Sequence, residues 1–143
     1  MFLFIFFEPT PFAGSVIKEH KNINFCYILI TREFAKYQKA KILTAHPCSN
    51  LAKLYSDYDE GFEAIDWETL EKRDYKDERS KQICMAEVLV KDVVYAREFK
   101  CIIVKDEECK NIVMDLAKRH KINVECIVVN YIFPRASLKT SLA

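Results

Sequence analysis

The run Met85-Ala86-Glu87-Val88-Leu89-Val90 decides how this chain is read. Its valines and leucine suit a buried strand. An ionised glutamate, however, is almost never left fully buried unless it is paired. A glutamate at the lip of such a run is therefore either a strand-edge residue or a site residue. The stretch before it, Asp77-Glu78-Arg79-Ser80-Lys81-Gln82, is charged and continues back to Lys72. From Lys72 to Lys81 stand five basic and three acidic side chains and no aliphatic one. That is the composition of an exposed, mobile loop leading into the strand.

Working outward, the pattern predicts alternating strands and helices. Phe2 to Phe7 is a continuous β-favouring run, and Thr10-Pro11 supplies an N-cap and first-turn proline for a short helix to about His20. Phe25 to Ile30 reads as a second buried strand, followed by a solvated basic linker with Lys36, Lys39 and Lys41 before the short run Ile42-Leu43-Thr44. Ser49 is expected to cap a helix carrying Leu51, Leu54, Tyr55 and Tyr58. Asp66 is expected to cap a second helix, packed on the first, with Trp67 and Leu70 on its apolar side. Beyond Val90, Phe99 to Val104 is a strand. A helix opened by Asp106 follows, with Glu107 and Glu108 in its first turn and Lys118, Arg119, His120 and Lys121 at its dipole-negative end. Ile122 to Val129 is the last strand. The expected organisation is one domain over residues 1–133 with one core, and a polar tail over residues 134–143.

Composition excludes more than it selects. With 22 basic and 21 acidic side chains the formal charge is +1, so any nucleic-acid contact must come from a local patch. Only two glycines occur, Gly14 and Gly61, which rules out a P-loop or a Gly-x-Gly-x-x-Gly dinucleotide turn. The six cysteines form no Cys-x-x-Cys pair, and Cys26, Cys101 and Cys126 lie in apolar runs as core residues of a reduced, cytoplasmic protein. The apolar opening ends at Glu8-Pro9, far short of the ~20 residues of a membrane span, so no membrane association is expected. The three histidines, 20, 46 and 120, show no metal-ligand spacing, and no metal is expected. His46 stands apart because Thr44-Ala45-His46-Pro47-Cys48-Ser49 joins a strand end to a helix start, where side chains often face a cleft. A turn histidine bonded to backbone is the alternative.

The order Ile65-Asp66-Trp67-Glu68, a charged loop, Arg79-Ser80-Lys81-Gln82 and Ala86-Glu87-Val88-Leu89-Val90 resembles the DarT family of DNA ADP-ribosyltransferase toxins. In that family an Asp-Trp helix start precedes a basic loop and a catalytic glutamate in an Ala-Glu-Phe/Val-Leu-Val strand. Leu43-Thr44-Ala45-His46 resembles the family's Thr-Asp-x-His/Asn segment, and Phe4 to Phe12 resembles its Phe-Tyr-Phe-x-Pro-Arg-Ser-Pro strand and turn. The likeness covers residues from about 2 to 116 in order. Glu8-Pro9-Thr10-Pro11 departs from it by lacking the arginine after the proline. Met1 aligns near the strand that follows the family's N-terminal portion, so the expectation is the C-terminal two-thirds of the domain.

The resemblance implies an α/β (α+β) mixed-sheet ADP-ribosyltransferase-like fold, NAD as substrate, Glu87 as the catalytic carboxylate and His46 as a cofactor-binding residue. It also implies that Lys72, Arg73, Tyr75, Lys76, Arg79 and Lys81 face DNA, more readily single-stranded, through phosphate pairing and base stacking. A toxin of this kind implies a companion antitoxin that removes ADP-ribose. The alternatives are an inactive remnant or DNA-binding module that has lost part of the NAD pocket, and a transferase acting on protein or RNA.

Overall fold

A computed structural model of the chain describes residues 2–5, 11–20 and 23–133. Two sheets organise it. The first has the order β1-β5-β3-β4, from β1 (Phe2–Ile5), β3 (Lys41–Leu43), β4 (Leu54–Tyr55) and β5 (Glu87–Val90), all antiparallel. The second has the order β2-β6-β7, from β2 (Cys26–Leu29), β6 (Cys101–Val104) and β7 (Glu125–Val128). In it β2 runs antiparallel to β6 and β7 parallel to it. Parallel neighbours need a crossover, supplied by helix α6 (Glu107–Arg119). The mixed α+β architecture is the one expected.

Helix α1 (Pro11–Glu19) follows β1. Four helices of six residues each then cluster against the first sheet: α2 (Arg32–Tyr37), α3 (Tyr58–Glu63), α4 (Trp67–Lys72) and α5 (Glu78–Ile83). Helices this short are marginal on their own. Each is opened by a side chain that accepts the third helical residue's N–H: Thr31 from Phe34, Asp57 from Glu60, Asp66 from Thr69 and Asp77 from Ser80, at 2.6–3.2 Å. Such caps contribute about 1 kcal/mol apiece. Asp106 opens α6 in the same way, through Cys109 N–H at 2.8 Å.

Several expectations need correction. Within the expected linker Arg32–Tyr37 form α2, with Ala35 buried while Lys36, Lys39 and Lys41 stay exposed. Ser49 caps no helix: the chain turns there, Leu54 and Tyr55 form β4, and the helix starts only at Tyr58. Ser49 instead spends its hydroxyl on Leu51 N–H, two residues on, the local bond that competes with helix formation. The expected loop 72–81 is half helical, because Asp77 caps α5 and Ile83 anchors it. Strand β2 is not buried: it is an edge strand, with Ile28 and Leu29 about 40% and 38% exposed and Cys26 exposed rather than in the core. Phe6, Phe7, the Thr10 cap, Glu8-Pro9 and the 134–143 tail lie outside the described residues.

Among the described residues the buried apolar side chains form two clusters, one under each sheet's helical cover. Ile42, Val88 and Val90 of the first sheet pack with Ala35, Tyr58, Leu70 and Ile83 from the four short helices. Ile102 and Val104 of β6 pack with Cys126 of β7 and with Cys109 and Ala117 of α6.

The two glycines show how closely the first cluster is packed. A Cβ on Gly61 of α3 would lie 2.5 Å from Ile42 Cβ and 2.8 Å from Tyr55 Cβ, whereas a Cβ on Gly14 of α1 would meet nothing within 4 Å. Gly61→Ala is expected to destabilise the chain by about 1–3 kcal/mol through overpacking. Gly14→Ala is expected to stabilise it by roughly 0.5–1 kcal/mol through helix propensity. Urea midpoints that move the same way for both variants would contradict this packing.

Candidate active site

Glu87 opens the interior strand β5, paired with Ile5 of β1 on one side and Leu43 of β3 on the other. Successive strand residues face opposite ways. Val88 and Val90 are buried in the apolar cluster, so Glu87 and Leu89 occupy the opposite face and are half-buried. Partial burial pushes the Glu87 carboxyl above its ordinary value, and the nearby His46 imidazole pulls it the other way. The two residues singled out at positions 46 and 87 are thus electrostatic neighbours, although 40 residues separate them.

The register explains their meeting. Leu43 is opposite Glu87, and the chain leaves β3 at the next residue to form the loop that carries His46. Thr44 closes the base of that loop. Its N–H donates to Lys53 O at 3.1 Å, and its hydroxyl oxygen accepts from Lys53 N–H at 3.1 Å. His46 donates its N–H to Gln82 O at 2.9 Å, Ser49 donates its N–H to His46 O at 2.8 Å, and the Ser49 hydroxyl donates to Gln82 Oε1 at 2.5 Å. His46 Nδ1 accepts from Cys48 N–H at 3.2 Å. The backbone-bonded turn histidine is therefore realised, and it leaves Nε2 as the imidazole's donor in the neutral form. Thr44, Ser49 and Gln82 stand in the quoted motifs or turns, but the sequence assigns none of them a place at the site. The one available signal was the Thr-x-His segment itself.

The basic segment comprises the end of α4, a turn and α5. Lys72 pairs with Glu68 at 2.6 Å and Lys81 with Glu78 at 3.1 Å, both along their own helices. Exposed pairs of this kind contribute little and are screened by salt, so either lysine can exchange its carboxylate for a phosphate. Arg73 ends α4 in the left-handed conformation (φ 49°) and redirects the chain. Tyr75 and Lys76 are exposed on the turn, and Asp74 accepts Lys76 N–H at 3.1 Å. Arg79 approaches Asp66 at 3.7 Å, bridging α5 to the start of α4. Thr69, through its N–H and its hydroxyl, holds the Asp66 carboxyl below its usual range, and Arg79 adds to that pull. Asp66 is thus a structural cap; of the six expected contact residues Lys72, Tyr75, Lys76 and Arg79 are exposed, and Arg73 and Lys81 are half-exposed. Gln82, at the end of α5, connects that helix to the His46 loop.

The arrangement offers a half-buried carboxylate with an imidazole as its electrostatic neighbour, on a loop that Gln82 ties to the helix ending the basic segment. A carboxylate so placed can stabilise a developing cation or take up a proton. Among the described residues no group of His, Cys, Asp or Glu could hold a metal ion. None of their helices is long and apolar enough to cross a membrane.

Comparison with known proteins fits this geometry. Thermus sp. 2.9 DarT in complex with carba-NAD+ matches with a TM-score of 0.80 at 12% identity, over 93% of this chain and 72% of that one. The same DarT in complex with ADP-ribosylated ssDNA gives a TM-score of 0.78 at 12% identity, over 92% and 68%. Thermosipho africanus DarTG in complex with ADP-ribose gives 0.55 at 20% identity, over 76% of this chain and 28% of that one. At these identities the likeness establishes a shared fold. No curated protein matches the chain. The family model described as "ssDNA thymidine ADP-ribosyltransferase, DarT" matches residues 3–133, past the point where the likeness of motifs ends. Spanning both sheets, the His46 loop, the basic segment and Glu87, that match means that the chain belongs to the DarT family.

Proposed function

We propose that this chain transfers ADP-ribose from NAD to a thymidine base in single-stranded DNA, with Glu87 as the catalytic carboxylate. The observation that carries this reading is the half-buried Glu87 at the head of the interior strand β5, beside His46, in a chain of the DarT family. In the reaction the bond between nicotinamide and ribose breaks, a bond from the same ribose carbon to the base forms, and the base gives up a proton. Charge builds on the ribose as an oxocarbenium-like cation, which a fixed carboxylate facing it stabilises. The same carboxylate can accept the base's proton. His46 contacts the NAD through Nε2. Lys72, Arg73, Lys76, Arg79 and Lys81 hold phosphates, and Tyr75 stacks on a base. The partners on this reading are single-stranded DNA and an antitoxin that removes ADP-ribose, the chain being the toxin of the pair and acting in the cytoplasm.

The direct test is incubation with labelled NAD and a thymidine-containing single-stranded oligonucleotide, beside Glu87→Gln. Label is expected on the DNA, with the variant slower by about 10²–10³-fold. Label that persists in the variant would overturn the role of Glu87. Binding of the oligonucleotide without label in the parent would favour a DNA-binding module instead.

The raised carboxyl fixes the signs of two further outcomes. Acid protonates Glu87 sooner than an ordinary glutamate, so the acid limb of the rate–pH profile should lie above the usual value of about 4.3. The folded chain keeps the Glu87 proton at pH values where the unfolded chain has lost it, so this residue's contribution to stability falls as pH rises through its folded pKa. Glu87→Gln cannot ionise and is expected to be at least as stable as the parent at pH 7 by urea denaturation. A clear loss of stability would show Glu87 to be structural. For the basic segment, Lys76→Ala with Lys81→Ala should weaken single-stranded DNA binding evenly across sequences. The slope of log affinity against log salt should become shallower by about 0.7 per contact removed.

A further inference from the structure

We infer that Gln82 is a positioning residue: its side chain and its carbonyl together hold the loop that bears His46 beside Glu87. The inference rests on the roles proposed above for Glu87 and His46. Gln82 is the penultimate residue of α5, and the chain reaches Glu87 through the short turn Cys84-Met85-Ala86. Its carbonyl accepts His46 N–H at 2.9 Å as well as Met85 N–H at 3.2 Å, so the turn into β5 and the His46 loop are built on one oxygen. Its side chain reaches across 33 residues of sequence to accept the Ser49 hydroxyl at 2.5 Å. Ser49 in turn binds His46 O through its own N–H and Leu51 N–H through its hydroxyl oxygen.

Apart from Gln82, the loop is fixed at its base, where Thr44 binds Lys53. A polar side chain near the end of a short, charged surface helix would ordinarily be solvated. Here it is committed to a distant loop, and the commitment is local to the candidate site. The amide is neutral, so it ties the loop down without placing another charge near Glu87. The same helix carries Arg79 and Lys81 on its exposed surface, so nucleic acid seated there rests on the element that holds the His46 loop.

The test uses the full chain with Gln82→Met, which keeps length but accepts no comparable bond, Ser49→Ala, their combination, and Ser49→Thr. Hydrogen exchange of the His46 and Leu51 amides should quicken by about tenfold or more in both single variants while Val88 and Val90 stay protected. The KM for NAD should rise about tenfold with kcat changed by less than about threefold. The double variant should be no worse than Ser49→Ala alone, since both singles remove the Ser49–Gln82 bond and Ser49→Ala also removes the Leu51 one. Ser49→Thr, which keeps the hydroxyl, should stay within about threefold of the parent. Unchanged exchange in both singles, additive losses in the double, or an equal fall in every variant tracking Tm would overturn the inference. If Gln82→Met fails to fold, Ser49→Ala removes the same bond from the other side. A parent that transfers no label would refute the proposed activity, while the exchange rates would still decide whether Gln82 holds the loop.

Discussion

Strand β5 is the constraint on which the rest of the molecule depends. It is an interior strand of the first sheet, paired along its full length with β1 on one edge and with β3 on the other. A strand with neighbours on both edges cannot slip by one residue without exchanging its buried and exposed faces. Val88 and Val90 fix that choice, since both are buried under the four short helices. Glu87 is carried to the opposite face as a consequence of packing, and its position is therefore as rigid as the core itself. Chemistry that needs a carboxylate at a fixed place is served by a residue that cannot turn without unpacking the sheet.

The helices that enforce this arrangement are individually weak. Each of the four has six residues and is capped by a Thr or Asp side chain. Tertiary contacts supply the remainder: Leu70 and Ile83 are buried from α4 and α5, Trp67 Nε1–H donates to Phe62 O at 2.8 Å, and the Arg32 guanidinium lies 4.2 Å over the Phe62 ring. Short helices also bring several helix termini and turns to one side of the sheet. That is how Arg73, Tyr75 and Lys76 come to stand outside regular structure while Arg79 and Lys81 stand on it.

Legibility in the sequence followed the strength of local signals. Asp106 with Glu107 and Glu108 announced α6, Asp66-Trp67 announced α4, and the valines after Glu87 announced β5, all of which formed where expected. Helix α2 is hard to read because Arg32 to Tyr37 offers one buried alanine and no apolar stripe, although Thr31 and Glu33 are a start signal. Ser49 misled because a serine before leucines suits a cap and a turn equally, and Pro47 with the Thr44–Lys53 bonds favoured the turn. At the site, Glu87 and His46 were both singled out, but their meeting depends on strand register, which no local pattern reports. Gln82 was invisible as a partner of Ser49 for the same reason: its bond is purely tertiary.

The crossover unit of β6, α6 and β7 has its own apolar cluster, distinct from the one beneath Glu87. Regions with separate cores can open separately, with different free energies. Every residue placed at the candidate site belongs to the first sheet, its helices or its loops, so brief opening of the crossover leaves the Glu87–His46 arrangement standing. Change at Val104 or Cys126 would then be felt chiefly in how much folded protein a cell retains. Change at Val88 or Ile83 would shift the floor on which Glu87 stands. The chain thus divides into a part whose changes act through abundance alone and a part whose changes also move the candidate site.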